Sequence, residues 1–428
     1  MSKNKTIVAI AKEAEIQDMV SKVFDLLGGA EKMLKPNATI VIKPNAGHAA
    51  GPETSVCTNP EVVRAVIREA KKANPKRIII AESAAIGCDT IECFKVSGIE
   101  QVAVEEGVEL IDIKREKDLI TLPVRNNKSN ISSVKIPRFL LEADHIINLP
   151  ILKAHASMVF SGALKNIKGT VQDKVHIDMH KQNLAMAMMD VWYAVRADIN
   201  IMDCVRPAGG FGPHTPVPLE VGCVLGSYDP VALDLIACDV VGLDTDKVDY
   251  FKVAAEAGFG TIDKNNIEVV GKQVKDVYKK LWIPYIGGMQ RWPEYNIMSE
   301  NACSSCQAML ALNMETLRAI GEYDEHAGMT VCIGRKDSIP DDIPKDKLVL
   351  HGNCTRKGKD GGMFLEGCPP GETSMYQTIQ HGFVVDGRDD QVEALIRPGQ
   401  QKDHPAWEKY VFEEAEKFYE QHNDSKVE

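Results

Sequence analysis

The chain has 428 residues, of which 44% are hydrophobic and 26% charged, with a formal net charge of −11. That length supports two or three domains with full hydrophobic cores, and the acidic balance argues against the clustered positive field that nucleic-acid binding needs. No stretch approaches the roughly 18 uninterrupted apolar residues of a membrane span. The opening MSKNKTIVAIAKEAEI has acidic residues where a signal peptide needs an apolar core. The expectation is therefore a cytoplasmic protein without membrane or nucleic-acid partners, whose eleven cysteines remain thiols.

In chain order, TIVAIAK predicts a strand, IQDMVSKVFDLLGGAEKML an amphipathic helix, and ATIVIKPNAG a strand that ends in a turn, which together make a βαβ unit. NPEVVRAVIREAKKAN follows, with Asn59 as N-cap and Pro60 in the first turn, and hands over to the strand KRIIIAES. A single helix is predicted over TIECFKVSGIEQVAVEEG, a strand over VELIDIK, and a nearly all-apolar, doubly buried strand over DHIINLPIL. This alternation specifies an α/β fold with a mostly parallel sheet flanked by helices. Ligands in such sheets sit at the C-terminal strand ends, which singles out Lys43, Pro44 and Asn45, then Glu82 and Ser83, then Lys153 and His155.

DCVRPAGGFGPHTPVP holds three glycines and four prolines, so a shaped loop is expected there. GSYDPVALDLIACDVVGL returns to a helical pattern with Asp229 as N-cap. Beyond Trp282 the composition changes. The expected organisation is an α/β domain over 1–285, a smaller cysteine-rich cluster-binding domain over 286–385, and a helical tail over 386–428 that includes AWEKYVFEEAEKFYEQHN as a surface helix.

Four cysteines of the second domain have a ligand-like spacing: Cys303 and Cys306 two residues apart, 47 residues to Cys354, and 13 to Cys368. Zinc ribbons favour two short pairs, whereas an iron–sulfur cube accepts one short pair and two separate loops. The asymmetry favours a 4Fe-4S cluster, with zinc as the alternative and disulfides the weakest reading. Gly352 and Gly367 precede the two isolated cysteines and allow close backbone approach. The blocks CSSC, GNC and EGCPP resemble the proximal 4Fe-4S motif of nickel–iron hydrogenase small subunits over about 70 residues. Cys332, in MTVCIGRK, is expected to be a small buried hydrophobe. Cys57, Cys88, Cys93, Cys204, Cys223 and Cys238 lack ligand spacing and are read as mostly structural.

The chemically dense stretch of the first domain gathers Lys153, His155, Lys165, Lys168, His176 and His180 into 28 residues. Ammonium and imidazolium groups in a partly desolvated cleft attract carboxylate or phosphate. His176 and His180 share one helix face by their spacing, as a metal pair, a proton relay or a solvated surface.

VIKPN, NPEVVRAV, AESA, INLPILKAHASMVFSGALKNIKG, IMD and LGSYDPVALD resemble, in this order, the signature blocks of the domain of unknown function 362 family over about residues 5 to 260. That resemblance implies an iron–sulfur protein, although many members carry a C-x-x-C-x-x-C module that is replaced here by the hydrogenase-like ligand set. KAHASMVFSGALKNIKG is also similar to the stretch of lactate racemase-type enzymes whose lysine anchors a nickel pincer cofactor. That similarity would make Lys165 the anchor and His155 an acid/base or ligand.

The expected function is a redox enzyme of anaerobic metabolism acting on a small anionic substrate. Lys153, His155, Lys165 and Asp203 are its candidate catalytic residues. Lys43, Asn45, Lys168, His176, His180, Arg206 and His214 are candidates for substrate binding, and Cys303, Cys306, Cys354 and Cys368 for the cluster. A ferredoxin- or flavodoxin-like electron partner is expected, and a homodimer is left open. The rival readings are a non-catalytic electron-transfer or assembly partner and a nickel-pincer racemase-like enzyme.

Overall fold

The computed structural model describes residues 5–124, 131–156, 158–180, 184–213, 215–284, 292–319, 321–335, 339–371 and 405–423. Its centre is an eleven-stranded sheet. In chain order the main strands are β1 (Thr6–Ala11), β2 (Thr39–Pro44), β3 (Arg77–Glu82), β4 (Glu109–Asp112), β5 (His145–Leu149), β6 (Ile199–Phe211), β7 (Cys223–Ser227) and β8 (Ile267–Gly271). They lie side by side in the order β8, β1, β7, β6, β5, β2, β3, β4. All neighbours are parallel except β7, which runs antiparallel to both β1 and β6.

Alternation along these strands divides the core in two. Val8, Ile10, Val41, Ile79 and Ala81 pack on one face, where helices Leu184–Ala194 and Pro230–Val240 cover them. Ala9, Ala11, Ile40, Ile42, Ile78 and Ile80 pack on the other, under helices Ile16–Leu27 and Pro60–Lys72. The expected caps form: Asn59 accepts from the Glu61 N–H at 2.9 Å, and Asp229 from Val231 and Ala232 at 2.8 and 3.1 Å.

Three local expectations are corrected. The helix predicted over residues 90–107 is two helices, Thr90–Val96 and Ile99–Glu106, because Gly98 adopts a left-handed conformation with φ of 79° between them. DHIINLPIL is interrupted at Pro150, which has no N–H to donate. After it the strand Ile151–His155 pairs with β6 and with Val159–Ser161 instead of continuing β5. The Gly/Pro-rich segment is not an open loop: β6 runs through it to Phe211 and turns back as Thr215–Pro218, with Pro207 inside a register shift between Asp203 and Ala208. A proline is tolerated where the ladder is already broken.

A second, four-stranded parallel sheet, Asn296–Met298, Thr330–Ile333, Leu348–His351 and Met363–Leu365, packs against helix Ser304–Ala319. The C-terminal helix Pro405–Asn423 was expected to be a surface element. It instead buries Val411 and Ala415 against Phe211, Val217, Trp282 and Leu312, so one face of it joins both sheets' helices and hairpins. Among the described residues no helix is long and apolar enough to cross a membrane.

Candidate functional site

The C-terminal ends of β2, β3 and Ile151–His155 open into a cavity of about 660 Å³. Its wall holds Lys153, His155, Lys165, Lys168, His176 and His180 on the α/β side. Cys303, Ser305, Cys368 and Pro369 line it from the cysteine-bearing side. The turn that carries Lys165 is fixed from within the fold. Asp234, fully buried on helix Pro230–Val240, accepts hydrogen bonds from the Ala163 and Leu164 N–H groups at 2.6 and 2.9 Å. A Cβ on Gly162 would strike Asp234, so this approach requires glycine.

Below the turn, asparagines form a chain, of which Asn148, Asn166 and Asn200 are buried. Asn45 donates to Asn166 at 3.0 Å, Asn166 to Asn148 at 2.8 Å, and Asn148 to Asn200 at 2.9 Å, which ties β2, β5 and β6 to the base of the cavity. Asp234→Ala is expected to cost about 1–3 kcal/mol by leaving two buried N–H groups unpaired. Urea denaturation checks this, and Asp234→Asn should recover part of the loss because its amide oxygen still accepts.

Burial dominates the electrostatics. Lys153 and Lys168 are each lowered to about 8 by desolvation. Lys165 and His155 are pushed well below their ordinary values, first by burial and then by neighbouring lysines. Both keep some surface, and that surface faces the cavity. The shift favours the neutral imidazole of His155, which can accept a proton, while ammonium groups in the same wall attract an anion.

Desolvation also holds His176 near 3 and His180 near 2. His176 donates through Nε2 to the Lys168 carbonyl at 2.7 Å. His180 accepts at Nε2 from Lys168 Nζ at 2.6 Å, which leaves its Nδ1–H to donate to Ser304 Oγ at 3.0 Å. Ser304 adjoins Cys303, so this bond joins the cationic wall to the cysteine loop.

Several expected site residues lie elsewhere. Lys43 is fully buried behind the cavity, paired with Glu82 at 2.9 Å; Glu82 lines the cavity and Lys43 does not. Asp203 accepts from the Asn59 and Val205 N–H groups at 2.8 and 3.0 Å. With Arg206 it lines a separate cavity of about 300 Å³. Burial lifts Asp203 to about 6, and it does not line the cavity that holds His155. Arg206 pairs with Glu220 at 3.6 Å. His214 lies outside the described residues. Asn45 does line the cavity, where its Oδ1 accepts from Lys153 Nζ at 3.0 Å.

The four spaced cysteines come together. Cys303 and Cys306 flank the start of helix Ser304–Ala319, and Cys354 and Cys368 are within electrostatic reach of Cys306. A Cβ on Gly352 would meet Cys306 Sγ at 3.4 Å. The hydrogen bond from Cys306, followed by those from the Ser305 and Cys306 N–H groups, lowers Cys303 to about 6 and pushes Cys306 up. Among the described residues no three His, Cys, Asp or Glu side chains converge tightly enough for a single metal ion.

One buried group behind them lacks partners. His351 is 0% exposed, neither ring nitrogen has a hydrogen bond, and it shares a sheet rung with Ile333 and Leu365, which pack with Cys306. Orphaned donors are rare in folded interiors and point to a missing polar partner. A thiolate-bound inorganic body with sulfide acceptors fits that gap. Cys332 is buried in the same sheet, with its thiol against Met298 Sδ at 3.7 Å.

The fold and cavity define an α/β protein with a cation-lined pocket at its strand ends. Residues 40–239 match the sequence profile of the family described as domain of unknown function (DUF362). A similar curated protein is the thylakoid-associated protein sll1697 of Synechocystis sp., 27% identical over 233 residues, which are 52% of this chain and 68% of that protein. Among solved structures, the lactate racemase apoprotein from Thermoanaerobacterium thermosaccharolyticum aligns with a TM-score of 0.37 and 15% identity. The alignment covers 55% of this chain and 57% of that one.

Proposed function

We propose that the protein is an enzyme for a small carboxylate-like anion, bound in the 660 Å³ cavity, with Cys303, Cys306, Cys354 and Cys368 holding a 4Fe-4S cluster at its far wall. The observation that carries this reading is the shared lining: Lys165 and His155 face the same space as Cys303 and Cys368. Lys153, Lys165 and Lys168 bind and orient the anion, and neutral His155 accepts a proton from it. The Lys168–His180–Ser304 bonds hold the cysteine loop against that wall. A bound cluster would supply one-electron transfer. A cytoplasmic setting and an electron-donating partner protein belong to the same reading.

The second reading is a nickel-pincer racemase-like enzyme anchored on Lys165. The desolvated amine of Lys165, beside His155 and His180, is the feature that favours it.

Metal and sulfide analysis of protein purified without oxygen separates the two. About four iron and four sulfide per chain, both lost in Cys354→Ser, is the expected result. Nickel without sulfide would transfer the assignment to the second reading, and the absence of iron, sulfide and nickel would overturn both.

A further inference from the structure

The cavity is larger than its cationic wall requires. Its volume of about 660 Å³ lies in the range of sites that enclose drug-sized ligands, about 300–1,000 Å³. An acid the size of acetate, only a few times the volume of a water molecule at about 30 Å³, would leave most of it to water. Part of the wall is unsuited to water. Ile86 and Ile177 both line the cavity and are 43% and 39% exposed. One exposed isoleucine is ordinary, but two on separate segments that border the same cavity make an uncovered apolar surface of the kind that marks a ligand groove.

The surface is held in place. Lys114 Nζ donates to the Ala85 and Cys88 carbonyls at 2.7 and 2.9 Å, on either side of Ile86, and pairs with Asp173 at 2.8 Å, at the start of helix Asp173–His180. One side chain thereby ties the segment that carries Ile86 to the helix that carries Ile177. On that helix His176, Ile177 and His180 all line the cavity, at a spacing that puts them on one face. From the cysteine-bearing side, Ser305, Ala308 and Met309 line it as one face of helix Ser304–Ala319. His180, one turn from Ile177, meets Lys168 Nζ at 2.6 Å, so the apolar surface begins beside the cationic one.

We infer that the anion this cavity takes carries an apolar tail: its carboxylate meets Lys165 and Lys168, and an alkyl chain covers Ile86, Ile177 and Met309. The inference rests on the reading of the cavity as an anion site and adds the class of acid. Charge holds one end of the ligand, and removal of apolar surface from water holds the other.

Calorimetry on the whole chain, purified without oxygen, with acetate, butyrate, hexanoate and octanoate reads the chain-length dependence; the weaker acids are measured by displacement of octanoate. Burying one methylene raises affinity about three- to fourfold, so octanoate is expected to bind at least about 100-fold more tightly than acetate, at a single site. Ile86→Asn and Ile177→Asn should each shrink that ratio about fivefold or more, and both side chains are exposed enough for the variants to fold. Lys165→Met should weaken all the acids together and keep the ratio. Octan-1-ol, the tail without the charge, should bind far more weakly than octanoate. An octanoate-to-acetate ratio below about threefold, less than one buried methylene supplies, with binding still weakened by Lys165→Met, would overturn the tail and leave the anion site standing. Octan-1-ol that binds as tightly as octanoate, or no binding by any of the acids, would overturn the anion site and the tail with it. Octanoate bound at several places and indifferent to both asparagine variants is surface adsorption, and that result too would overturn the inference.

Discussion

Glu82→Ala is expected to remove about 3–5 kcal/mol of folding stability, the usual cost of breaking a buried ion pair from one side. Glu82 and Lys43 side chains are 3% and 0% exposed, and the carboxylate also accepts the Ala46 and Ser83 N–H groups at 3.2 and 2.8 Å. Burial pushes Glu82 up and Lys43 down, in each case ahead of their mutual attraction. The pair therefore persists through geometry more than through net electrostatic gain. Removing the carboxylate leaves Lys43 Nζ, among the described residues, with the Pro44 carbonyl, and orphans two backbone donors. Gly169 packs so closely that a Cβ there would collide with Glu82 and lie 2.7 Å from Lys43 Nζ. Glu82→Gln should cost less, because its amide oxygen still accepts and Lys43 can lose its proton. Urea denaturation midpoints measure both variants, and a Glu82→Ala effect below about 1 kcal/mol would contradict this account of the pair.

Lys165→Met is expected to weaken binding of a small carboxylate by about 10- to 150-fold, the value of one hydrogen bond to a charged group. The pH dependence has a definite sign. With the cavity empty, Lys153 and Lys168 lose their protons near pH 8, and a bound anion raises both values. Binding therefore draws on cations that are present below about pH 8. Affinity falls as pH rises beyond it, with net proton uptake on binding. Calorimetry in buffers of different ionisation enthalpy reads both quantities. An affinity that stays flat from about pH 7 to 9.5 would remove these lysines from contact with the ligand.

The outcome at individual residues shows how far linear order reaches. The βαβ units, the Asn59 and Asp229 caps and the two-faced core follow from local rules, because a period of two or 3.6 residues and a capping side chain act within a few positions. The same rules misjudged residues 203–218. Their prolines and glycines fit a loop by composition, yet β6 tolerates Pro207 at a register shift that only the neighbouring strand creates. Lys43 and Asn45 are two residues apart, a spacing that would put both on one face of a strand, but the strand ends at Pro44, and Asn45 reaches the cavity while Lys43 is held against Glu82. Asp234, Asn148, Asn166 and Asn200 carry no motif. Their importance arises from partners as much as 123 residues away in the chain.

Spacing alone marked the four cysteines and the Lys/His stretch as separate chemical groups, since ligand type and charge are properties of residues. Their meeting in one cavity could not be read that way. It depends on helix Ser304–Ala319 packing so that Ser304 meets His180, a contact across 124 residues. It depends equally on the C-terminal helix wedging Val411 and Ala415 between the two parts. Periodicity and composition act locally and survive in the unfolded chain as pattern. Burial, pKa displacement and shared lining exist only once distant segments exclude water together, and the folded chain alone could bring Lys165 and Cys303 to the same space.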